Sequence, residues 1–513
     1  MIEINGYGLS LEAIRKVARH HASVVLGDEG RAAILRSQRI LNEIVATDRP
    51  VYGINTGFGI FSEQRIPRRD SATLSRNLIL SHAVGTGAPL PTEVVRAAML
   101  VRANALTKGY SGVRVEIVET LLNMLNAGVT PLVPGQGSLG SSGDLLPLSH
   151  LALVFTTDAE DRAEDSGFAE YQGEILDGKT AMLRAGIPRL RLGPKEGLAL
   201  NNGATFSAAI AALSVEDADY LLNVADAALA LSLEAVMGCR SAFDPRLHRA
   251  RSHVGQLTVS EHVLKLTDGS QLLDAAGRIQ DAYSLRCAPQ VNGAARDTLV
   301  FVRQIIEREV NAATDNPLIF ENGEVLSGGN FHGEPVGMAM DFLAIVMAEV
   351  AAISERRIFR LTDGKLNGGL PPMLVDTPED AGLNSGLMMP QYTAASLVLE
   401  NQTLATPDSV HSLPTSGEQE DHNANSMTAA RHAREVLFNT AHVLAIELYT
   451  AARALDLRLR ALPGLRPGRR TSMIYHSIRE KVPYRAGDAW WGPEIEAVKE
   501  MILNREFEEL TDL

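Results

Sequence analysis

The sequence FSAAIAALSVEDADYLLNVADAALALSLEAVM, residues Phe206–Met237, places apolar side chains at intervals of three and four residues along its whole length. This spacing is typical of an α-helix that buries one face, and the run exceeds the usual length of a helix in a globular protein. The same spacing recurs in Thr92–Thr107, Val113–Ala127, Gly337–Leu361 and Arg431–Leu457. The pattern therefore predicts a mainly α protein built around long helices.

The long helices also predict how the core is formed. Helices that are apolar around much of their circumference need other helices to cover them, so we expect a long central helical bundle. We further expect this bundle to be the core of a helical homo-oligomer, in which identical chains cover the remaining apolar surface. β-Structure is expected to be small or irregular and mostly N-terminal. Leu9-Ser10 reads as a short strand, and Leu318–Phe320 with Glu324–Leu326 reads as a hairpin around Asn322-Gly323.

Composition excludes several classes of protein. The 513 residues carry a formal net charge of -14, whereas binding to a nucleic acid backbone requires a concentrated basic surface. The most apolar stretch, Val336–Ile353, contains Asp341 and Glu349, and acidic residues are rare within a membrane span. No secretory signal is visible at Met1–Asn5, and two cysteines cannot form a disulfide framework. We therefore expect a cytoplasmic protein without a nucleic acid or membrane partner.

The segment Gly137–Leu148, GSLGSSGDLLPL, is rich in small residues around Ser142. Such a stretch can fold back tightly enough for one backbone amide to reach another backbone carbonyl. The overlapping Gly135–Gly140 satisfies the glycine pattern of dinucleotide-binding loops, but Pro131 and Pro134 precede it where a strand is required. No alternation of strands and helices follows, so we do not interpret this segment as a dinucleotide site.

Further segments along the chain combine glycine with polar or aromatic side chains. They are Tyr52–Gly59, Ser81–Gly85, Glu196–Gly203, Gln280–Gln290, Thr314–Leu318, Gly328–Pro335 and Ser416–Met427. Together with Gly137–Leu148, they resemble in their order the motifs of the histidine and aromatic amino acid ammonia-lyases and the related aminomutases. The resemblance extends from Leu9 to about Ile502, so it covers nearly the whole chain.

In that family three consecutive residues, usually Ala-Ser-Gly, cyclise and lose water to form an electrophilic ring, 4-methylidene-imidazol-5-one (MIO). The resemblance implies that Ser141, Ser142 and Gly143 form this ring here, without an external cofactor. Ser141 differs from the commonest first residue, which is alanine. Because the first residue contributes only its carbonyl carbon to the ring and keeps its α-carbon as a substituent, the Ser141 hydroxymethyl group is expected to project from the ring without preventing cyclisation.

The resemblance also implies roles for other residues of these segments. Tyr52 is expected to act as the base that removes the β-proton, which requires a pKa below the ordinary value of about 10. Arg286 is expected to bind the substrate carboxylate through its planar guanidinium group, although an isolated arginine is more commonly a salt-bridge residue. The other implied residues are Asn202, the hydrogen-bonding Gln280 and Tyr283, and Phe331 packed near the ring.

Recognition of the aromatic group is expected from His82 and from the last segment, where two alignments are open. The string Gln419-Glu420-Asp421-His422 is typical of the histidine enzymes, but the run to Ser426-Met427 is two residues longer, as in the phenylalanine and tyrosine members. If the segment is aligned with the family motif from its N-terminal end, Glu420 takes the position of the imidazole-binding acid. If it is aligned from its C-terminal end, His422 takes that position and Glu418 takes a flanking one.

These residues predict an enzyme that eliminates ammonia from L-histidine to give trans-urocanate. An aromatic 2,3-aminomutase acting on tyrosine or histidine, or a tyrosine ammonia-lyase, is the alternative, because the segment after Glu420 is long and because Asn201 stands where an apolar residue is usual. A non-catalytic protein on the same scaffold is a remote alternative. No H-E-x-x-H pair is present, and we expect no metal.

The resemblance finally implies an assembly and a domain organisation. The partner is a small-molecule amino acid substrate, and the chain is expected to form a homotetramer whose sites each draw residues from three subunits. We expect an N-terminal domain of residues 1–205 that carries the MIO ring. Residues 206–513 are expected to form the central long-helix bundle and a C-terminal helical region.

Overall fold

A computed structural model of the chain describes residues 1–47, 50–57, 59–61, 63–417 and 419–512. α-Helices dominate the described residues, so the predicted mainly α fold is confirmed. The five helices predicted from apolar spacing are all present, and their ends differ from the predicted ones by a few residues at most. Gly128 shows why one of them ends where it does. It adopts a left-handed φ of 79° and its N–H is donated to the Met124 carbonyl, which closes the helix Val115–Ala127.

Contacts within the chain define two compact units. The first unit consists of Met1–Glu216, Val302–Asp341 and Pro407–Arg431. The second unit consists of Asp217–Phe301, Phe342–Thr406 and His432–Leu513. The predicted domains, residues 1–205 and 206–513, stay a prediction, because compact units are not by themselves independently folding domains.

Most helices lie entirely within one unit. Those of the first unit are Leu11–His20, Asp28–Ala46, Ser71–His82, Thr92–Thr107, Val115–Ala127, Leu145–Phe155, Gly178–Arg184 and Glu196–Asn201. Those of the second unit are Pro245–Arg251, Val254–Leu266, Tyr283–Arg286, Met388–Leu404, Arg469–Lys481, Trp491–Leu503 and Glu508–Thr511. The four longest helices each contain a boundary between the units, and they are Thr205–Ala235, Ala288–Glu309, Glu334–Thr362 and Ser426–Ala461.

The strands are short and pair in small sheets, none of which exceeds three strands in the described residues. Parallel pairs join Ile2–Ile4 to Val24–Leu26 and Thr156–Thr157 to Leu190–Arg191. Antiparallel pairs join Thr86–Pro89 to Pro134–Gln136, Thr130–Pro131 to Phe168–Tyr171, Phe168–Tyr171 to Glu174–Asp177, and Leu318–Ile319 to Val325–Leu326. The last pair is the predicted hairpin, and Gly323 in its turn has a φ of 82°. Sheets of this size do not form the extended parallel sheet of a dinucleotide-binding fold.

The prediction of a strand at Leu9-Ser10 is wrong. The N-terminal strand lies earlier, at Ile2–Ile4, and Ser10 is instead the N-cap of the helix Leu11–His20. Its Oγ accepts a hydrogen bond from the Ala13 N–H at 3.1 Å. Serine is among the preferred N-cap residues because its hydroxyl satisfies an N–H group that the helix itself leaves unpaired.

Three helices of the first unit pack against one another and bring distant motifs together. The helix Leu145–Phe155 begins just after the serine–glycine triplet and contacts both Ser71–His82 and Glu196–Asn201. One of these neighbours ends at His82, and the other ends immediately before Asn202. The packing of the three helices therefore determines where these site residues stand.

The second unit contains a buried ion pair that joins three of the long helices. Arg357 and Glu447 are both fully buried, and the Arg357 Nε lies 2.5 Å from the Glu447 Oε1. Ser232 and Ser354 donate their hydroxyls to the same carboxylate at 2.7 and 2.6 Å. The carboxylate is thus satisfied on both oxygens, as a buried charge requires.

The helix Glu334–Thr362 is long and apolar enough to cross a membrane, by length and composition. Of its most apolar window, 67% is buried inside the protein. The core helix of a soluble protein can be as long and as apolar as a membrane span, so length and composition do not identify a membrane segment here.

Candidate active site

The first unit encloses a cavity of about 1230 Å³. Eight of the residues expected at the site line it: Tyr52, His82, Ser141, Ser142, Asn202, Phe331, Glu420 and His422. Gly143 lies beneath this lining in the same turn. The tertiary structure therefore brings together residues from six separate sequence segments.

The triplet is held in a turn that accepts only glycine at its third position. Gly143 has a φ of +75°, and a Cβ added there would lie 2.1 Å from the carbonyl carbon of Gly203. The Asp144 N–H is donated to the Gly203 carbonyl at 2.9 Å, so the two segments run side by side. This close backbone approach explains the glycine at position 143, whereas a Cβ added at Gly203 would lie 2.6 Å from the Thr314 hydroxyl oxygen.

The carbonyl oxygen of Ser142 accepts two hydrogen bonds. The Asn202 Nδ2 donates to it at 2.8 Å, and the Gly203 N–H donates at 3.2 Å. Two fixed donors at one carbonyl form the kind of arrangement that stabilises negative charge on oxygen. Asn202 thus contacts the triplet itself, whereas its neighbour Asn201 donates to the Ser149 hydroxyl at 3.2 Å.

Asp144 stands directly after the triplet. It is the N-cap residue of Leu145–Phe155 and is fully buried, but its carboxylate is directed elsewhere. The carboxylate accepts the Ser138 hydroxyl at 2.9 Å, and it accepts the N–H and hydroxyl of Ser207 at 2.8 and 3.0 Å. Burial raises the pKa of Asp144 despite these bonds. Sequence reasoning missed this role, since the serines that bind Asp144 have no recognisable spacing.

Glu420 reaches the triplet from 278 residues further along the chain. Its Oε1 accepts the Ser142 hydroxyl at 2.8 Å, and its Oε2 accepts the Ser141 hydroxyl at 3.3 Å. The Thr415 hydroxyl lies 3.5 Å from the same Oε2. The main chains of Thr415 and Glu420 also bond to each other in both directions, which holds the loop that carries Glu420.

His422 lies at the same cavity but makes different contacts. Its ring stacks on His332 with centroids 5.9 Å apart, and its backbone carbonyl lies 3.1 Å from the His332 Nε2. Of the two alignments of this segment, the geometry favours the one that puts Glu420 at the reactive position. The roles of Glu420 and His422 stay predictions, and Glu418 lies outside the described residues.

After His422 the segment contains two asparagines that bond to other parts of the chain. Asn425 adopts a left-handed φ of 50°, and its N–H is donated to the Leu139 carbonyl at 2.8 Å. Asn423 is fully buried, and its N–H is donated to the Ser412 hydroxyl at 2.8 Å. Asparagine tolerates the left-handed region better than most residues, so Asn425 suits its position in this turn.

The surroundings of Tyr52 differ from those that an active base requires. Burial raises the pKa of the Tyr52 hydroxyl, a hydrogen bond with the Gly59 backbone acts in the opposite direction, and the Glu420 charge raises it further. The expectation of a lowered pKa is therefore not met in this state. The main reason is burial, and the described lining of the cavity adds the Glu420 carboxylate near the phenol but neither lysine nor arginine.

His82 is kept neutral by its position. Burial lowers its pKa, although the Glu420 charge acts in the opposite direction. Its Nδ1 lies 3.0 Å from the Ser81 hydroxyl. A neutral imidazole can accept a hydrogen bond at one nitrogen and donate one at the other, which suits recognition of a polar ring.

Three expected site residues belong to the second unit and are not among the residues that line the cavity. They are Gln280, Tyr283 and Arg286. Tyr283 and Arg286 lie at the two ends of a single helical turn, and the Arg286 guanidinium stands 4.8 Å from the centre of the Tyr283 ring. The Tyr283 side chain is 70% exposed, so this helical turn presents an aromatic and a cationic group to its surroundings.

The described lining of the cavity includes the carboxylates Glu420 and Asp421 but neither lysine nor arginine. An amino acid substrate carries a carboxylate that needs a cationic partner when it leaves water. Within the described residues, no group of three or more His, Cys, Asp or Glu side chains is arranged to hold a metal ion.

Fold and site together define the class of enzyme. The sequence matches the aromatic amino acid lyase family over residues 9–480, and the chain belongs to that family. It is accordingly a carbon–nitrogen lyase.

Its relatives are more specific. A histidine ammonia-lyase from Caldanaerobacter subterraneus subsp. tengcongensis is 49% identical to it over 512 residues, which cover 99% of this chain and 98% of the relative. Another from Gloeobacter violaceus is 48% identical, with coverage of 97% and 95%.

Solved structures of two enzyme types are similar to this one. The crystal structure of histidine ammonia-lyase from Trypanosoma cruzi superposes with a TM-score of 0.90 at 37% identity, covering 100% of this chain and 95% of the other. Tyrosine aminomutase from Streptomyces globisporus superposes with a TM-score of 0.92 at 35% identity, covering 99% and 98%. The fold is thus shared by lyases and aminomutases, and the choice between them depends on the site.

Proposed function

We propose that this enzyme eliminates ammonia from L-histidine to give trans-urocanate. The observation that carries the proposal is the position of Glu420, whose carboxylate stands at the Ser141-Ser142 hydroxyls in a cavity also lined by Tyr52 and His82. A carboxylate beside a neutral histidine suits a ring that has an N–H donor, which imidazole has and phenyl lacks. The histidine ammonia-lyases at 46–49% identity support the same substrate.

The residues present fit the formation of an MIO ring from Ser141, Ser142 and Gly143. Gly143 has the left-handed φ and the missing side chain that a tight turn needs, and Ser142 offers a hydroxyl that can leave as water. The ring supplies an electrophile that captures the substrate's amine or its aromatic ring. Asn202 and the Gly203 N–H hold the Ser142 carbonyl, so they withdraw electron density from the segment that becomes electrophilic.

The other expected residues at the cavity then have defined tasks. Tyr52 removes the β-proton, since it is the tyrosine in the described lining of the cavity. Glu420 and His82 hold the imidazole through hydrogen bonds. Phe331 packs beside the reacting group, and His422, stacked on His332, forms part of the wall.

We also propose that the site is completed in a homotetramer by Arg286, Gln280 and Tyr283 of a neighbouring chain. Two observations support this: the described lining contains no cation for the substrate carboxylate, and large apolar side chains are exposed in the second unit. Phe301 and Phe342, which pack edge to face at 5.9 Å, are 50% and 41% exposed. Apolar surface of this kind marks regions of protein association.

If the sites are shared between chains, two inactive variants are expected to complement each other. Arg286→Ala removes the carboxylate partner, and Tyr52→Phe removes the base, so each variant assembled alone is expected to have almost no activity. Co-expression of the two produces mixed tetramers in which some sites have both native residues. Recovery of activity in the mixture would be measured against each variant alone. No recovery, with both variants assembled as tetramers, would contradict the shared site.

A cytoplasmic location is part of the same proposal. The two cysteines, Cys239 and Cys287, are both free, which fits a reducing compartment. The large excess of acidic over basic residues gives no support for a nucleic acid partner.

A 2,3-aminomutase is the second candidate, and two observations favour it. The superposition on tyrosine aminomutase has a TM-score of 0.92, and the segment after Glu420 is two residues longer than in typical histidine enzymes. Asn423–Asn425, however, are not among the residues that line the cavity. Glu420 therefore stays at the triplet, as the histidine interpretation requires.

The direct test is to incubate the purified enzyme separately with L-histidine, L-tyrosine and L-phenylalanine and to identify the products by mass spectrometry. We expect trans-urocanate and free ammonia from L-histidine. A β-amino acid from any of the three would establish the aminomutase instead. An unsaturated acid from tyrosine in place of histidine would establish a tyrosine ammonia-lyase.

Replacing Asn202 by alanine is expected to lower kcat by about 10² to 10³, because one of the two donors to the Ser142 carbonyl is lost. The matched control is Asn201→Ala, which removes a buried amide bonded to Ser149 but not to the triplet. We expect kcat of the control to fall by less than about tenfold, since the hydrogen bond that it loses is a structural one between neutral groups. Equal losses in both variants would contradict a specific role for Asn202.

The pH dependence of kcat/KM is expected to report the Tyr52 pKa. As a base, Tyr52 is active only when deprotonated, so kcat/KM is expected to rise with pH up to the Tyr52 pKa of the assembled site, and burial and the Glu420 charge both act to raise that pKa. Glu420→Gln removes that charge and is expected to move the rising limb to lower pH. Asp421→Asn, which removes another carboxylate from the lining, is expected to leave the limb in place. If the rising limb of the kcat/KM profile stays at the same pH in Glu420→Gln, the assignment of that limb to Tyr52 is contradicted.

A further inference from the structure

The hydroxyl of Ser141 is not consumed when the triplet cyclises. The first residue of the triplet contributes only its carbonyl carbon to the ring, so its α-carbon and side chain remain as a substituent on the ring. Ser141 is only 8% exposed, and its Oγ donates to the Glu420 Oε2 at 3.3 Å. An alanine, the usual residue at this position, has no group that could make this bond.

Cyclisation changes which groups hold the Glu420 carboxylate. Before it, the nearest donor is the Ser142 hydroxyl, at 2.8 Å from the Oε1. That hydroxyl leaves as water when the ring forms, and its hydrogen bond leaves with it. The side-chain donors that then remain are Ser141 at 3.3 Å and Thr415 at 3.5 Å, both on the Oε2. Ser141 becomes the nearer of the two.

Only the side chain of Glu420 is free to turn in this arrangement. Its backbone N–H and carbonyl both bond to Thr415, at 3.3 and 2.8 Å, so the main chain of the loop is held. A donor on one carboxylate oxygen restricts the rotation of the side chain and leaves the other oxygen free for a ligand. A hydrogen bond to a charged acceptor is also stronger than one between neutral groups.

We propose that Ser141 is a positioning residue, which holds the Glu420 carboxylate for the imidazole N–H of the ligand after the ring has formed. The inference rests on the proposed function, in which Glu420 binds imidazole. Ser141 acts through Glu420 alone, so it affects ligands that have an imidazole N–H and not ligands that lack one. It thereby contributes to the selection of histidine over phenylalanine.

The test compares Ser141→Ala with the unsubstituted enzyme, since alanine is the usual residue of the family and permits the ring. The dissociation constants of trans-urocanate and trans-cinnamate are measured by calorimetry, because the two share an acrylate and only urocanate has an imidazole. We expect Ser141→Ala to raise the dissociation constant of urocanate about tenfold and that of cinnamate by less than about twofold. KM for L-histidine is expected to rise by a similar factor, with kcat changed by less than about threefold.

Two further measurements make the result specific. The intact mass of both proteins is expected to show the loss of two waters, so a change in binding is not a failure of ring formation. In a Glu420→Gln background, Ser141→Ala is expected to have almost no further effect on urocanate binding, because its partner carboxylate is absent. Three results would each overturn the proposal. The first is that Ser141→Ala weakens the binding of both ligands equally, and the second is that it leaves urocanate binding unchanged. The third is that Ser141→Ala weakens urocanate binding just as much in the Glu420→Gln background.

The proposed function fails in a different way. It fails if the unsubstituted enzyme, with the two waters lost, releases no urocanate from L-histidine. The inference about Ser141 fails if urocanate is formed and Ser141→Ala binds it as tightly as the unsubstituted enzyme does. An enzyme that neither forms nor binds urocanate overturns both.

Discussion

A Tyr52→Phe variant is expected to turn over L-histidine about 10² to 10⁴ times more slowly than the unsubstituted enzyme, while its affinity for trans-urocanate stays nearly unchanged. The substitution removes only the hydroxyl oxygen and keeps the ring that lines the cavity. In the proposed reaction that oxygen takes the β-proton, which the electrophile alone cannot remove. The loss should therefore appear in kcat, with little change in binding.

The structure adds a requirement to this prediction. Burial and the Glu420 charge raise the pKa of Tyr52, so its deprotonated form is rare until a positive charge enters the cavity. The expected source is the arginine that binds the substrate carboxylate, together with the substrate ammonium group. We therefore expect the Tyr52 hydroxyl to be deprotonated more easily in the assembled, substrate-bound site than in the isolated first unit.

The control for Tyr52→Phe is the same substitution at an unrelated tyrosine. Tyr7 is 61% exposed and lies against Lys108, outside the lining of the cavity. Tyr7→Phe is expected to leave kcat within about twofold, as surface substitutions usually do. Turnover by Tyr52→Phe at the parent rate would reject Tyr52 as the base. A mass without the loss of two waters would instead show that Tyr52 acts in ring formation.

A Gly143→Ala variant is expected to form no ring and to show no detectable elimination of ammonia. The added Cβ would lie 2.1 Å from the Gly203 carbonyl carbon and 2.4 Å from its Cα. Both atoms belong to the backbone, so no side-chain rotation relieves the overlap, and the two segments must separate. Their separation breaks the bonds from Asn202 and Gly203 to the Ser142 carbonyl. Intact mass spectrometry would show a protein that keeps both waters.

The control separates this overlap from the strain of a left-handed backbone. Gly173 has a φ of +80°, close to that of Gly143, but a Cβ added there would meet nothing within 4 Å. Gly173→Ala is expected to lower the free energy of unfolding by about 1 kcal/mol and to leave the ring and the activity intact. A Gly143→Ala protein that loses two waters would contradict the requirement for close approach to Gly203.

The site illustrates how far the sequence could predict the chemistry. The identities of Ser142, Tyr52 and His82 were recognisable because each stands in a motif that is local in the chain. The choice between Glu420 and His422 was not recognisable from the sequence, since both alignments satisfied the spacing of the motif. The role of Asp144 was not recognisable either, because its bonds to Ser138 and Ser207 connect segments that no periodicity relates.

The sequence by itself determined the mainly α fold, the long helices, the hairpin at Asn322-Gly323 and the candidate residues of the site. These follow from apolar spacing and turn chemistry, which act over a few neighbouring residues. Only the tertiary structure decided that Glu420 meets the triplet, that Gly143 packs on Gly203, and that the Tyr52 pKa is raised. Those features depend on burial and on contacts between segments far apart in the chain, and a linear pattern contains neither.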